Sequence, residues 1–311
     1  MNGTNGGSGP GLLRIGLHAL GIGNGSRPDV MTAVAMAAES AGFARLWCGE
    51  HVIMVDAPAS RYPYSDDGRI AVQPDADWLD PLLALSFLAG ATRSIRLATG
   101  ILLLPEHNPL LVAKQAATLD LISGGRFDLG VGIGWSAEEF AALGVPFALR
   151  GERTEEYVAA MRRLWSADPA TFHGKFVNFD AVRVNPKPVR DRRIPVIFGG
   201  TTDTALRRVA ALGDGWYGFN LRVADVAGRI GVLAGACRRE GRDLAGLSIA
   251  VSLRDGDPTR LAELAVAGVT ELVLVGEPPA DPQAAARLGP RAGGAVDRHD
   301  RVTRRGSARR R

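Results

Sequence analysis

The sequence predicts a (β/α)8 barrel, and three observations point there. Short apolar runs of β-type composition alternate with amphipathic helical stretches from residue 14 to residue 275, the order of a parallel sheet whose strands are joined by helices. Eight such runs can be counted, and 311 residues exceed the roughly 250 that a closed barrel needs. Residues 95–135, IRLATGILLLPEHNPLLVAKQAATLDLISGGRFDLGVGIGW, hold a complete strand–helix–strand unit with short connections. A doubly wound open sheet gives the same alternation with fewer strands and stays open as the alternative.

The elements follow in order. Residues 14–20 (RIGLHAL) read as the first strand. A helix follows over 29–40, with Pro28 at its start and Gly42 past its end. Residues 43–49 (FARLWCG) form the second strand, closing in Glu50 and His51, and 80–90 is helical. The third strand, 95–104, stops at Pro105, and helix 109–122 runs to Ser123-Gly124-Gly125. The fourth strand, 126–134, carries glycines at 130, 132 and 134. Helices are expected over 136–143 and 152–165, the latter with Tyr157, Val158, Met161, Leu164 and Trp165 on one face. Strand 194–198 leads through Gly199-Gly200-Thr201-Thr202 into a helix ending at Leu212. Strand 215–219, helix 223–240, strand 247–253, helix 259–267 and strand 271–275 complete the alternation. The eighth helix is doubtful from composition, because Pro278, Pro279 and Pro282 precede a short Ala-rich piece at 283–288. Two long segments interrupt the pattern, 52–78 after strand two and 168–193 after strand four. The second reads as a small hairpin (TFHGKFVNFD). Long loops on a compact domain tend to carry binding function, so both are expected on or near the carboxyl-end face.

Composition is that of a globular chain, 46% apolar and 23% charged, without an apolar run long enough to span a bilayer. Residues 1–13 are Gly/Asn/Ser-rich, lack the features of a secretory signal and read as a flexible leader. Residues 14–288 then form one barrel domain. The basic end, 289–311, reads as a disordered tail. Nine arginines from Arg287 onward oppose only Asp297 and Asp300, and the rest of the chain is mildly acidic. Without aromatic interleaving, that tail is the one hint of nucleic acid, and no nucleic-acid or membrane partner is expected. Cys48 and Cys237 match no metal spacing and read as free thiols of a cytoplasmic protein.

Several residues are candidates for chemistry. His51, at the carboxyl end of the second strand, can exchange a proton near neutral pH, with Glu50 orienting it or capping the loop. Gly199-Gly200-Thr201 opens a helix after a strand, which suits a phosphate, although an ordinary capped connection uses similar residues. Thr99-Gly100 interrupts the third strand, and the glycines ending the fourth let a flat ligand lie against bare backbone. Gly132-Ile133-Gly134-Trp135-Ser136-Ala137 fits a dinucleotide fingerprint. It follows the fourth strand rather than the first, and Trp135 stands where a pyrophosphate needs close approach. His18, His107 and His173 are not spaced as metal ligands, and no metal is expected. The absence of a G-x-S-x-G elbow and of a Walker loop argues against a nucleophilic hydrolase and a P-loop enzyme.

Five segments, AESAGFARLWCGEHV, ATGILLLPEHNPLLVAKQAATLDLISGGRFDLGVGIGW, EEFAALGVPFALRGERTEEY, FHGKFVNFDAVRVNPKPV and PVIFGGTTDTALRRVAALGDGW, resemble in order those of the bacterial luciferase-like superfamily. They are most similar to its branch that uses the deazaflavin coenzyme F-420. The resemblance runs from about residue 14 to 276 and implies a (β/α)8 barrel with the cofactor at the carboxyl ends of the strands. It implies His51 beside the ring, Gly134 and Trp135 along the ring's edge, and Gly199, Gly200 and Thr201 around the cofactor phosphate. It also implies a non-prolyl cis peptide backing the ring, at Thr99-Gly100 or Gly100-Ile101. Hydride transfer between F-420 and a small organic substrate is the implied activity. FMN with oxygen, as a monooxygenase, is the alternative, and a cofactor-free binding protein a further one. A homodimer is expected from the same resemblance. The long polar loop after His51 and the arginine-rich end depart from the family pattern.

Overall fold

A computed structural model describes residues 13–255 and 260–287. The expected leader, apart from Leu13, the start of the helix expected at 259, and the basic tail lie outside them. In chain order the strands are β1 (Arg14–His18), β2 (Arg45–Cys48), β3 (Arg96–Thr99), β4 (Leu102–Leu103), β5 (Phe127–Gly132), β6 (Ala170–His173), β7 (Asn178–Val182), β8 (Val196–Gly199), β9 (Gly215–Leu221), β10 (Ser248–Leu253) and β11 (Glu271–Val275). The helices are α1 (Pro28–Ser40), α2 (Pro81–Ala91), α3 (Pro109–Ile122), α4 (Ala137–Ala142), α5 (Arg150–Ser166), α6 (Asp203–Leu212), α7 (Val223–Arg239), α8 (Leu261–Ala267) and α9 (Pro282–Ala286).

Eight strands pair in parallel in the circular order β1-β2-β3-β5-β8-β9-β10-β11, and β11 returns to β1 in register from Arg14↔Glu271 to His18↔Val275. The ring is closed, which removes the open doubly wound sheet. The short α9 packs against α1 and completes the outer layer where a longer helix was doubtful. The third predicted strand is the main local difference. It breaks into β3 and β4 around a cis Gly100–Ile101 peptide, and both pieces pair with β5. The break falls at the interruption expected at Thr99-Gly100, and the side chains on either side remain buried.

Local chemistry explains the helix starts. Asp80 accepts from Leu83 N–H at 2.9 Å and Asn108 from Leu110 N–H at 2.9 Å, each followed by a proline whose missing N–H costs nothing at that position. The barrel interior is filled by Trp47, Ala98, Ile197, Tyr217, Ala250 and Val273. Toward the amino ends of the strands, Arg45 pairs with Asp128 and Glu271, each at 3.1 Å, and Arg96 pairs with Asp128. Cys48 and Cys237 are buried free thiols. Among the described residues no helix is long and apolar enough to cross a membrane.

Candidate functional site

The segment 49–80 between β2 and α2 holds no helix or strand and crosses the barrel mouth. Leu79 N–H donates to Gly21 O at 2.8 Å, tying its end to the turn after β1. On one flank Glu138 of α4 accepts from the N–H groups of Ala59 (2.8 Å) and Ser60 (3.0 Å). On the other, Tyr64 O accepts from Asn220 Nδ2 (2.7 Å) and Arg254 Nη2 (2.8 Å), while Arg254 Nη1 pairs with Asp66 at 2.7 Å. The 168–193 excursion does not share this position. Its β6–β7 hairpin folds onto α5, with Glu156 accepting from the N–H groups of Lys175, Phe176 and Val177. Nothing in it borders a cavity described below, which corrects its expected placement near the catalytic face.

Beneath the roof lies a cavity of about 1020 Å³ at the carboxyl ends of the strands. His18, Ile101, Phe198 and Tyr217 line it from below, and Tyr62, Tyr64, Trp78, Trp135 and Phe219 enclose it from the sides and top. Tyr62 stands edge-on to Trp135 at 5.3 Å and Tyr64 edge-on to Phe219 at 5.4 Å. The expected contacts Gly100, Gly134, Trp135, Gly199, Gly200 and Thr201 line this space, as does Glu50. Thr99 does not. It is fully buried and its Oγ1 donates to Gly130 O at 2.6 Å, so it serves the β3–β5 seam.

The glycines in and just after β5 divide their roles, contrary to the single role read from sequence. A Cβ at Gly130 would run into the Thr99 carbonyl oxygen, and one at Gly132 into the Ile101 side chain. At Gly130 a backbone atom takes the space, whereas Gly132 borders the main cavity with the Ile101 side chain beside it. Gly134 borders the cavity with φ +74°, and a Cβ there would stand 2.6 Å from the Phe140 ring.

His51 also differs from expectation. It lies behind Trp78 and Trp135, with ring centroids at 4.9 and 5.6 Å, and borders a second cavity of about 470 Å³ rather than the main one. Its Nδ1 meets Glu139 Oε2 at 2.8 Å, and its Nε2 accepts from Trp135 Nε1 at 3.3 Å. An indole only donates and a carboxylate only accepts, so these partners select the neutral Nδ1–H tautomer. Glu139 on α4 therefore orients His51. Glu50, expected in that role, instead accepts from Leu103 N–H at 2.5 Å and meets His107 Nε2 at 3.0 Å. A position 88 residues away in sequence gave no local sign of this pairing.

At the opposite end of the cavity, β8 runs into the turn Gly199-Gly200-Thr201-Thr202. Gly200 has φ +101°, a left-handed conformation that favours glycine, and Thr202 caps α6 by accepting from Ala205 N–H at 3.2 Å. The helix start leaves N–H groups without intrahelical partners beside the cavity. Two guanidinium groups that the sequence reading did not select line the same space. Arg208 of α6 is 8% exposed, and its Nε pairs with Glu155 at 2.9 Å, leaving both Nη groups without a partner among the described residues. Arg150 lies over the Phe147 ring, with Nε donating to Gly134 O at 3.2 Å. A signal for Arg208 existed, because it falls on the buried face of α6 with Ala205, Leu206 and Val209.

Glu106, in the 3-10 turn after β4, is buried with both carboxyl oxygens unpaired. Burial, with the nearby charges of Glu139 and Glu50, pushes its pKa up to about 9. The folded protein then holds a proton on Glu106 at pH values where the unfolded chain, with the ordinary glutamate value of 4.5, has lost it. This contribution to stability is present below about pH 4.5 and is lost as pH rises toward 9. Denaturant titrations of wild type and Glu106→Gln across that window are expected to show the wild type falling relative to the variant. A constant difference between the two would contradict it. Despite the glutamates gathered here, no group of three or more His, Cys, Asp or Glu among the described residues is arranged to hold a metal ion.

The fold has counterparts among known proteins. The solved coenzyme F420-dependent tetrahydromethanopterin reductase of Methanopyrus kandleri superimposes with a TM-score of 0.69 at 17% identity, over 89% of this chain and 97% of that one. An uncharacterized protein of Mycobacterium tuberculosis (strain ATCC 25618 / H37Rv) is 36% identical over 247 residues, covering 79% of this chain and 86% of the relative. The FMNH2-dependent dimethylsulfone monooxygenase of Pseudomonas putida is 33% identical over 191 residues, about half of each protein (55% and 52%). The family described as luciferase-like monooxygenase matches residues 13–256, a span that holds β1 to β10, and the chain belongs to that family.

Proposed function

We propose that the protein is an oxidoreductase passing hydride between coenzyme F-420 and a small organic substrate, reducing a carbonyl, ene or imine or, in reverse, oxidising an alcohol. The observation that carries this reading is one cavity with two unlike ends. One end is an aromatic-walled chamber, and the other is a glycine turn at a helix start flanked by Arg150 and Arg208. That shape and charge suit a planar ring bearing a phosphate tail. The residues fit such a group, because Arg208 keeps a buried guanidinium edge free on that side and Gly200 brings backbone N–H groups close.

When bound, the deazaflavin supplies a hydride donor or acceptor at its central ring carbon. The chain's part is to bind, orient and exclude water. Gly200, Thr201, Arg150 and Arg208 hold the phosphate, and Gly100, Gly134 and Trp135 flank the ring. The strapped 49–80 segment keeps bulk water out. His51, held by Glu139, acts on the cavity through Trp135, whose indole N–H its Nε2 fixes in place. The choice of F-420 rests on the likeness of the five sequence segments to the deazaflavin branch. An FMN-dependent monooxygenase is the second reading, favoured by the Pseudomonas putida relative.

The test is turnover under two conditions. Reduced F-420 without oxygen, mixed with a panel of ketones, enones and imines, is expected to be reoxidised only when protein and substrate are both present. Turnover confined to reduced FMN with oxygen would replace this reading with the second.

A further inference from the structure

The floor of the main cavity carries another histidine. His18, at the end of β1, is 8% exposed and borders the cavity. Its Nδ1 lies 3.0 Å from Tyr217 Oη, while its Nε2 has no partner among the described residues. Gly49 keeps that nitrogen open, since a Cβ at position 49 would stand 3.1 Å from it. Tyr217 also bonds the Ser252 side chain, and Ser252 Oγ accepts from Asn220 N–H at 2.8 Å. Trp47 stacks on Tyr217 at 4.6 Å, and Phe219 lies 6.0 Å from the His18 ring, so the surroundings are apolar.

The two histidines differ in one chemical respect. His51 has a carboxylate on Nδ1, which can only accept, so its tautomer is set. His18 has a hydroxyl on Nδ1, which can give or take. With Tyr217 O–H donating to Nδ1, Nε2 carries a proton and donates into the cavity. With the hydroxyl rotated, Nδ1–H donates to Tyr217 and Nε2 offers a lone pair. Burial lowers the His18 pKa to about 4 and pushes the Tyr217 phenol well up, so neither ionises near neutral pH and only the tautomer changes. A neutral imidazole amid aromatic walls is an unmet polar group, and a ligand filling the chamber gains by bringing its heteroatom there.

We propose that His18 Nε2 is the contact for the substrate's polar atom, donating to a carbonyl oxygen or accepting from a hydroxyl at the same point. The substrate class is then a largely apolar ketone and its corresponding alcohol. This rests on the oxidoreductase reading, because a redox pair of that kind presents only an acceptor in one state and gains a donor in the other.

The test is nitrogen-15 NMR of the full chain labelled in histidine, titrated with cyclohexanone and with cyclohexanol. The His18 signals are assigned by their loss in His18→Asn. Cyclohexanone, which only accepts, is expected to drive the His18 ring fully to the Nε2–H pattern, and cyclohexanol, which gives or takes, to leave a larger share of the Nδ1–H pattern, with His51 unchanged in both. Tyr217→Phe is expected to abolish that swing, and His18→Phe to weaken both probes roughly ten-fold. His18 signals that do not distinguish the probes, or a response at His51 alone, would overturn the proposal. F-420 and FMN binding measured on the same samples separates the two failures. A protein that binds neither cofactor loses the oxidoreductase reading, whereas one that binds cofactor with His18 silent loses only this contact.

Discussion

Replacing Arg208 with alanine is expected to weaken binding of both F-420 and FMN by roughly 10- to 100-fold. A charge-assisted hydrogen bond contributes about 1.5–3 kcal/mol, and each factor of ten corresponds to about 1.4 kcal/mol. The loss should be selective. Arg208 pairs with Glu155, whose side chain is 45% exposed and can turn to solvent, so the fold should tolerate the change. Adding Arg150→Ala is expected to lower affinity further, with each arginine reporting on the same phosphate. Raising salt should weaken wild-type binding more than that of the double variant, because fewer charges remain to be screened. An affinity within three-fold of wild type, in a variant with unchanged thermal stability, would show that the phosphate lies elsewhere.

Gly130→Ala is expected to cause the largest loss of stability. The added methyl would occupy the position of the Thr99 carbonyl oxygen, a backbone atom on the neighbouring strand of the barrel. Overpacking a core costs about 1–3 kcal/mol, and occasionally more. Here neither partner is a flexible side-chain end, which places the cost at or above about 3 kcal/mol. For a domain of this size, that corresponds to a fall in Tm of roughly 10 °C. Gly246→Ala is the control, since a Cβ there would meet nothing within 4 Å. Equal thermal stability of the two variants would mean that β3 and β5 separate readily, against their registered pairing at Leu97↔Phe127 and Ala98↔Asp128.

The barrel was legible in sequence because its signals are local. Each strand is a short apolar run, and helix starts at Asp80-Pro81 and Asn108-Pro109 carry their caps beside them. The expectation of a cis bond around Gly100 came from resemblance, and the structure has it at Gly100–Ile101. What was not legible depends on pairing across the ring. His51 could be named as the end of β2. That Trp135, 84 residues on, meets its Nε2 follows only from the closed geometry. Glu139, not Glu50, meets its Nδ1 for the same reason. His18 was weighed only as a metal ligand, because a hydroxyl partner 199 residues away leaves no mark near it. The glycines of β5 were conspicuous, yet sequence alone does not say whether protein or ligand fills the space beside them.

Equilibrium binding of the purified protein to F-420 and to FMN, followed by fluorescence, tests the central claim most directly. The account predicts tight binding of F-420, weaker binding of FMN, and loss of both on changing Gly200 or Thr201. Binding of FMN alone would contradict the choice of cofactor, and binding of neither would contradict the cofactor site itself.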